Sequence, residues 1–578
     1  MTSTKDRGHH LPIDESIRRL SLGQMSRRVF VGNAVAAGLT LGMAGSLASI
    51  YSSRAYAASS KDIESIDGGY DYIVIGSGSS GGTLAYRLAT KTDARILVLE
   101  AGSVDDIPEL HDPRLWAAAL ATKATKSFDT VAQPHTAGRT HSWPRGNVLG
   151  GTSCLNAMIF ARGHRSDYDG WAAAGCTGWD YASVLKHFKE LETFEGGASD
   201  LRGASGPLYI SQPKKDKAHP GAAAFIEAAV DLGYPETKDF NGPTMEGPAW
   251  VNFNIKDQQR QSTAVAFLKP AMERKNLTVL TDAPVTQLVF EGTRCVGVEY
   301  LHNGKPRTIR AEREVIVSAG AVDTPRILML SGIGNASDLG KLGIKSIVDL
   351  KGVGENLQDH VLGAGPNYES PTPLPASNYN HSEVYMWWKS EAKLAAPDMI
   401  TLYVSIPFST PALPMKDVKN GWCMLSGVAR PTSRGRLKLA SAKYGDAPII
   451  DPNYLATEHD RKVFSKATEI AREIALHKAY GSQRSREVLP GKDIKVGSPE
   501  WNEFLAKSVN TYFHPTSTCR MGADEMAVVD PQLKVRGVSG LRIADASIMP
   551  SITTSNTNAP SIMIGWKCAE MISATSRT

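Results

Sequence analysis

Residues 70–102 restrict the fold of this chain more than any other stretch; they read YDYIVIGSGSSGGTLAYRLATKTDARILVLEAG. A short apolar run, typical of a buried parallel strand, leads directly into Gly76, Gly78 and Gly81. In this G-x-G-x-x-G spacing the first glycine allows a tight turn and the second lets backbone N–H groups approach a pyrophosphate. The third lets the following helix pack on the strand. The stretch therefore predicts a dinucleotide site at a helix N-terminus.

Glu100 strengthens this interpretation. It follows a second predicted strand at residues 95–99 and lies 19 positions after Gly81, near the roughly 20 that the fingerprint expects. A carboxylate at that point accepts hydrogen bonds from a ribose. Strand, glycine turn, helix, strand and acid in this order argue against an ordinary loop, but they do not distinguish NAD from FAD.

Size and charge narrow the class of protein. The 578 residues suggest two large domains, and the 42% of hydrophobic residues provide ample core. Residues 1–57 carry most of the formal net charge of +5, so the remainder has no basic excess that would recruit nucleic acid or an anionic membrane. The six cysteines form no C-x-x-C pair, so we predict no metal site and mostly buried free thiols.

Residues 1–57 resemble a twin-arginine export signal. Arg27 and Arg28 precede a weakly apolar run at residues 29–50, and small residues around Ala57 suit a cleavage site. The alternative is a permanent N-terminal anchor, which the glycines in the apolar run disfavour. We therefore expect an exported, periplasmic protein that begins at Ala58 and has no permanent membrane span.

Two later segments resemble the signatures of the glucose-methanol-choline (GMC) oxidoreductase family. The first is RGNVLGGTSCLN at residues 145–156, together with Gly163 and Asp169. The second is GAVDTPRILMLSGIG at residues 320–334. The resemblance continues through residues 352–360 and 450–454 to the C-terminus and covers essentially all of residues 68–574.

This resemblance implies an α/β fold in which a Rossmann-like domain binds FAD. A second, α+β domain built on an antiparallel sheet would form the substrate site. We assign residues 68–215, 258–361 and 512–578 to the FAD-binding domain, and residues 216–257 and 362–511 to the substrate-binding domain. A Pro/Ser/Asn-rich stretch after residue 362 supports a boundary there.

The resemblance also assigns cofactor contacts along the fingerprint, the first signature and three later turns. The predicted cofactor-binding residues are Gly76, Gly78, Ser80, Gly81, Glu100, Gly150, Gly151, Ser153, Asn156, Val285, Ala319, Asp545 and Ala546. Family members that attach FAD covalently carry a histidine where this chain has Leu155, so we predict noncovalent FAD.

The chemistry is assigned to two C-terminal segments, residues 512–522 and 556–565. Alcohol oxidation by a flavin requires a base that accepts the hydroxyl proton while hydride leaves the carbon, and a histidine suits that role. His514 matches the family's base, and Asn558 is assigned as the polar partner that holds the developing alkoxide. The predicted partner molecule is thus a small alcohol.

The substrate is predicted from a departure from the family. Choline-oxidising members carry a glutamate where this chain has Leu362, so the resemblance favours a neutral primary alcohol with an apolar or aromatic body. Four aromatic residues could line such a site or could equally be core: Tyr379, Tyr385, Trp387 and Trp388.

Three alternatives stay open at this stage. Some GMC-like proteins are lyases whose flavin does not cycle, a choline- or sugar-type dehydrogenase is possible, and an NAD-linked reductase is a further option. A dehydrogenase is favoured over an oxidase. The external electron acceptor, whether cytochrome, quinone or oxygen, is not encoded in any motif.

Overall fold

The computed structural model describes residues 58–59, 69–416 and 418–575. The export signal predicted for residues 1–57 lies outside the described residues. Among the described helices, none combines the length and the apolar composition needed to cross a bilayer. The six cysteines are all buried and unpaired, as predicted.

The first large sheet is built on the fingerprint strand Tyr70–Ile75, which is almost completely buried. This strand pairs in parallel with Ile96–Leu99 on one side and with the long strand Lys305–Val317 on the other. In order across the sheet the strands are Ala58–Ser59, Leu277–Thr281, Ile96–Leu99, Tyr70–Ile75, Lys305–Val317, Arg294–His302 and Val285–Glu291, with Leu541–Ile543 also pairing in parallel with Lys305–Val317. The parallel core explains why its strands are continuous apolar runs, since helices and loops cover both faces.

Two helices pack together beside the fingerprint strand. Ser79–Lys91 follows the glycine turn, and the C-terminal helix Asn558–Thr575 lies against it. A side chain at Gly565 would come within 2.2 Å of the Ser80 carbonyl oxygen, so the backbones touch here. The first turns of both helices consequently reach the same cavity, which both line through Ser79 and Asn558.

The second large sheet is antiparallel. Its strands, in order, are Arg486–Leu489, Asn367–Glu369, Gly421–Val428, Met399–Val404, Val384–Trp388 and Gly247–Trp250, and Val361–Gly363 joins Gly421–Val428 to Val509–Thr511. Gly421–Val428 and Met399–Val404 are buried along their whole length. The amphipathic helix Glu458–Leu476 covers this sheet through residues such as Phe464 and Ala467.

The remaining elements are shorter. The other α-helices are Trp116–Ala119, Arg165–Ala173, Tyr181–Leu191, Pro220–Asp231, Lys269–Ala271, Gly320–Leu330, Ala336–Lys341 and Pro499–Ser508, and Ala264–Leu268 is a π-helix. Two-stranded pairs are formed by Thr125–Asp129 with Ser142–Gly146, Glu192–Phe194 with Leu208–Ile210, Ile255–Lys256 with Gln259–Arg260, Ile333–Gly334 with Val348–Asp349, and Arg436–Lys438 with Ile449–Asp451.

A parallel sheet flanked by helices and a separate antiparallel sheet agree with the predicted fold class. The strands of the second sheet come from residues 247–250 and 361–511, whereas residues 58–59, 70–99, 277–317 and 541–543 supply the first. The domain boundaries proposed from the sequence stay a prediction.

Candidate active site

A cavity of about 560 Å³ is lined by residues from both large sheets. The strand ends at Ile75 and Leu99 reach it from the first sheet, and Tyr385, Leu402 and Leu425 reach it from the second. Twelve predicted site residues line it: Gly76, Gly78, Ser80, Glu100, Gly151, Asn156, Val285, Ala319, His514, Asp545, Ala546 and Asn558.

Gly81, Gly150 and Ser153 are not among the residues that line the cavity; they support its wall. A Cβ atom at Gly81 would lie 2.0 Å from the Gly76 carbonyl oxygen, so only glycine fits there. The Ser153 hydroxyl donates to the Gly150 carbonyl oxygen at 2.6 Å and so holds the first-signature turn in shape.

The glycine turn has the features that a dinucleotide phosphate requires. Gly76 has a φ of +93°, a conformation that L side chains rarely adopt, and it allows the chain to turn sharply into the helix. The Ser80 hydroxyl is buried in the first helical turn and has no hydrogen-bond partner. Because helix N-termini favour anions, this orphan hydroxyl and the turn fit the pyrophosphate of a bound FAD.

Glu100, the predicted ribose contact, lies beside this turn. Its carboxylate accepts hydrogen bonds from the Ser77 hydroxyl at 2.6 Å, the Ser77 N–H at 2.9 Å and the Gly102 N–H at 2.9 Å. Burial raises the pKa of Glu100, while these donors oppose the rise. The same contacts fix the carboxylate at the cavity wall.

Asp545 organises a second helix start. One carboxylate oxygen accepts from the Gly320 N–H at 2.9 Å and the Thr324 hydroxyl at 2.6 Å, and the other accepts from the Ser547 N–H at 2.8 Å. The aspartate thus fixes the N-terminus of helix Gly320–Leu330 at the cavity, where it would also face an anionic cofactor group.

His514 occupies the opposite, catalytic end of the cavity. Its backbone N–H donates to a carboxylate oxygen of Asp359 at 2.8 Å, and Asp359 also accepts from the Thr511 hydroxyl at 2.6 Å. Burial holds the pKa of His514 well below its ordinary value, and His360 and Arg145 lower it further. The imidazole is therefore neutral near pH 7 and has one free lone pair.

His360 determines which nitrogen of His514 carries that lone pair. His360 Nε2 lies 3.0 Å from the Ala429 carbonyl oxygen and must donate to it, since a carbonyl only accepts. Burial lowers the pKa of His360 to about 4, so its Nδ1 is unprotonated. Because His514 Nδ1 lies 2.9 Å from His360 Nδ1, it must be the donor, and His514 Nε2 is left as the acceptor.

Asn556 is the amide next to this acceptor. Its Nδ2 lies 3.4 Å from His514 Nε2, and its Oδ1 is buried without a hydrogen-bond partner. Asn558, which the sequence analysis assigned as the partner of His514, instead accepts from the Ser79 hydroxyl at 2.7 Å. The geometry therefore places Asn556, two residues earlier, beside the base, because Asn558 already begins the helix and faces the fingerprint turn.

Arg145, the first residue of the first signature, also lines the catalytic end of the cavity. It donates to the Pro144 carbonyl oxygen at 2.6 Å and to the Phe513 carbonyl oxygen at 2.9 Å. Burial lowers its pKa to about 10, which leaves it positively charged at neutral pH. This charge disfavours protonation of the neighbouring His514.

The wall opposite the dinucleotide end is largely apolar. It includes Leu155, Leu362, Leu402, Val404, Ile406, Phe408 and Leu425. Of the four aromatic residues considered from the sequence, Tyr385 is among the lining residues. Trp387 donates to the Thr554 carbonyl oxygen and Tyr379 stacks on Phe253, so both are core, and Trp388 packs edge-on against Tyr234.

Fold and site together define a flavin-dependent oxidoreductase, and comparison with known families agrees. The two GMC oxidoreductase family models match residues 70–362 and 431–565. The chain belongs to the GMC oxidoreductase family and is an FAD-dependent enzyme that acts on CH–OH donors. The predictions of family, fold class and FAD are confirmed.

Individual relatives are similar over most of their length. Mitochondrial choline dehydrogenase of Homo sapiens is 40% identical over 536 residues, which cover 87% of this chain and 89% of the relative. The crystal structure of pyridoxine 4-oxidase from Mesorbium loti has a TM-score of 0.84 and 36% identity, and covers 87% of this chain and 99% of that one. A formate oxidase of Aspergillus oryzae RIB40, studied for FAD modification, has a TM-score of 0.81 and 25% identity, and covers 89% and 100%.

Sequence reasoning gave no part in the chemistry to four residues around His514, namely Arg145, His360, Tyr512 and Asn556, and it regarded His360 as structural. Asn556 could have been found from the sequence, because the N-x-N spacing offers two candidate amides. The two differ in that the C-terminal helix begins at Asn558. His360 carries no local signal of its own, since its partner is 154 residues away.

Proposed function

We propose that this protein oxidises the hydroxymethyl group of a neutral primary alcohol to an aldehyde, with His514 as the general base. The observation that carries the proposal is the hydrogen-bonded pair of His360 and His514, which leaves His514 Nε2 unprotonated at the cavity. A neutral imidazole held in one tautomer is suited to accept a hydroxyl proton.

Bound FAD would supply the hydride acceptor for this reaction. The chain's own residues do the remaining work. His514 Nε2 takes the hydroxyl proton, and the Asn556 amide, 3.4 Å from that nitrogen, donates to the oxygen on which negative charge develops. Arg145 and the burial of the site keep His514 unprotonated until substrate arrives.

Anaerobic mixing with a panel of alcohols tests the reaction class. Bleaching of the flavin absorbance by an alcohol, with aldehyde formed in equal amount, is expected. Turnover without bleaching would instead indicate a lyase whose flavin does not cycle. Reduction of the flavin by NADH and by no alcohol would indicate an NAD-linked reductase.

The electrostatics of the cavity support a neutral substrate. Leu362 stands where choline-oxidising members carry a glutamate, and it lines the cavity. The carboxylates that line the cavity are Glu100, Asp323 and Asp545, and all three belong to the segments around the first sheet. A quaternary ammonium would thus enter the apolar end without a counter-charge, at a cost above about 1.4 kcal/mol.

Choline stays the second candidate, because relatives that are 40% and 38% identical to this chain bear its name. We expect a benzylic or aliphatic alcohol to exceed choline by more than about tenfold in kcat/KM. Leu362→Glu should narrow that ratio, with Leu362→Gln as the uncharged control of similar size. Choline as the best substrate of the unmodified enzyme would refute the neutral-alcohol proposal but not the role of His514.

We also propose that FAD is bound noncovalently. Leu155 occupies the position where, by the family resemblance, members with covalently bound FAD carry a histidine. Among the described residues that line the cavity, the one histidine is His514. Precipitation with trichloroacetic acid should leave the yellow flavin in the supernatant. Colour retained in the pellet would contradict this proposal.

Periplasmic location is proposed on the residues of the N-terminal segment alone. Replacing Arg27 and Arg28 by lysine should trap the full-length protein in the cytoplasm, and the exported form should begin at Ala58. Export favours a respiratory electron acceptor over oxygen. We therefore propose that the enzyme is a dehydrogenase and not an oxidase. Efficient export of the double-lysine variant would refute the twin-arginine assignment.

A further inference from the structure

Tyr512 lies between the base and the second sheet. Its ring packs against the His514 imidazole with centroids 4.4 Å apart, and its hydroxyl donates to the Tyr385 hydroxyl at 3.0 Å. Both tyrosines line the cavity. The catalytic residues described above do not require either hydroxyl, so the pair needs a separate explanation.

The hydrogen bonds of these hydroxyls have a definite direction of donation. The Ser382 hydroxyl donates to the Tyr403 carbonyl oxygen at 2.8 Å, so its single proton is not available to Tyr385. Tyr385 in turn accepts from Tyr512. A hydroxyl has one proton, so Tyr512 Oη, whose proton is given to Tyr385, can only accept from its remaining neighbours.

Asn556 is the neighbour that this acceptor faces. Its side chain hydrogen-bonds with Tyr512, and its Nδ2 lies 3.4 Å from His514 Nε2, which is also an acceptor. Both groups on this side of the amide therefore present lone pairs. The amide must turn its NH₂ edge toward them, and Oδ1 is left buried without a partner.

We infer that Tyr512 and Tyr385 are a positioning pair that holds the donor edge of Asn556 toward the reacting oxygen. If the Asn556 amide were rotated by 180°, its Oδ1 would face the lone pairs of Tyr512 Oη and His514 Nε2. The developing alkoxide would then meet an acceptor instead of a donor. The inference rests on the proposed function, since it concerns the residue that stabilises the alkoxide in that reaction. Tyr512 and Tyr385 act through Asn556 and contribute no proton to the chemistry.

A double-mutant cycle tests this inference by stopped-flow, anaerobic flavin reduction at saturating alcohol. Tyr512→Phe should lower the limiting rate about tenfold in the wild-type background, with little change in the apparent Kd for the alcohol. In the Asn556→Ala background the same substitution should change the rate by less than about twofold, because the group through which it acts is gone. Tyr379→Phe is the matched control, since Tyr379 is a buried tyrosine outside the cavity whose hydroxyl accepts from the Lys214 N–H at 3.0 Å; it should reduce at the wild-type rate.

Tyr385→Phe provides an independent variant in case Tyr512→Phe does not fold. The Tyr385→Phe substitution removes the acceptor of the Tyr512 proton, so this proton can turn toward Asn556. The variant should therefore slow flavin reduction in the wild-type background and not in the Asn556→Ala background. Equal losses in both backgrounds, or wild-type rates for both tyrosine variants, would overturn the inference while leaving the proposed reaction intact. A wild-type enzyme whose flavin no alcohol reduces would overturn the proposed function and this inference with it.

Discussion

The two ends of the cavity are built in different ways. The dinucleotide end is centred on a local motif, in which the Ser77 N–H donates to Glu100, 23 residues away, although the contact of Asp545 with the Gly320 N–H spans 225 residues. The catalytic end consists of side chains brought together over 42 residues between His514 and Asn556, 127 between Tyr385 and Tyr512, and 154 between His360 and His514. One end therefore has a local motif at its centre, whereas the contacts named at the other end exist only in the assembled fold.

This difference explains where sequence reasoning succeeded. Ten of the thirteen predicted cofactor residues line the cavity, and the other three stand directly behind its wall. At the catalytic end the base was placed in the cavity, but its amide partner and its orienting histidine were not identified. Substitutions at the two ends should therefore fail in different ways.

The largest effect is expected at His514. His514→Ala removes the proton acceptor and should slow flavin reduction by about 10²–10⁴, with FAD still bound. Stopped-flow reduction under anaerobic conditions measures the rate, and the visible spectrum reports bound flavin. Reduction at the wild-type rate would refute the mechanism.

The two asparagines provide the next test. Asn556→Ala should lower the limiting rate of reduction by about 10–10², because it removes the donor beside the developing alkoxide. Asn558→Ala removes a bond to the Ser79 hydroxyl and should cost less than about threefold in the same assay. A larger loss of rate in Asn558→Ala than in Asn556→Ala would support the assignment made from the sequence and refute the role given to Asn556.

At the dinucleotide end, Gly81→Ala should impair cofactor binding and not the chemistry. Its Cβ would lie 2.0 Å from the Gly76 carbonyl oxygen, so the turn must shift, and we expect FAD affinity to fall about tenfold. Fluorescence titration of the apoprotein with FAD measures the affinity. Gly170→Ala is the control, since Gly170 also lies in a helix and has no atom within 4 Å of the added carbon; unchanged affinity in both variants would contradict the role of Gly81.

The smallest effect is expected from pH. A base must be unprotonated, and the pKa of His514 is held well below 6.5, mainly by burial. The limiting rate of reduction should therefore vary by less than about twofold between pH 8 and pH 6, whereas a histidine of ordinary pKa would already be mostly protonated at pH 6. A rate that halves near pH 6.5 would show that the site does not depress this pKa.

Stability must be followed in the same experiment, because the same change of pH lowers it. His141 and His360 have pKa values of about 4 in the folded protein, against 6.5 when exposed. Below pH 6.5 the unfolded chain takes up protons that the folded chain does not, so these two groups lower the free energy of unfolding as the pH falls toward 4. Thermal unfolding at each pH separates this loss from a change in rate.

The sequence by itself predicted the dinucleotide-binding sheet and the glycine turn, and through the family resemblance it also predicted FAD and the candidate base His514. The sheet and the turn depend on a local pattern, since an apolar run, a glycine spacing and a following acid must be close along the chain to form one turn. Leu155 and Leu362 could likewise be read as departures at positions known from the family resemblance.

Only the tertiary structure decided the tautomer of His514, the choice of Asn556 over Asn558 and the arrangement of Tyr512 with Tyr385. Each depends on which hydrogen-bond donors and acceptors meet where distant segments of the chain come together, and one direction of donation determines the next. A carbonyl at residue 429 or 403 has no signature in the sequence, yet it fixes the proton positions of the residues that bond to it.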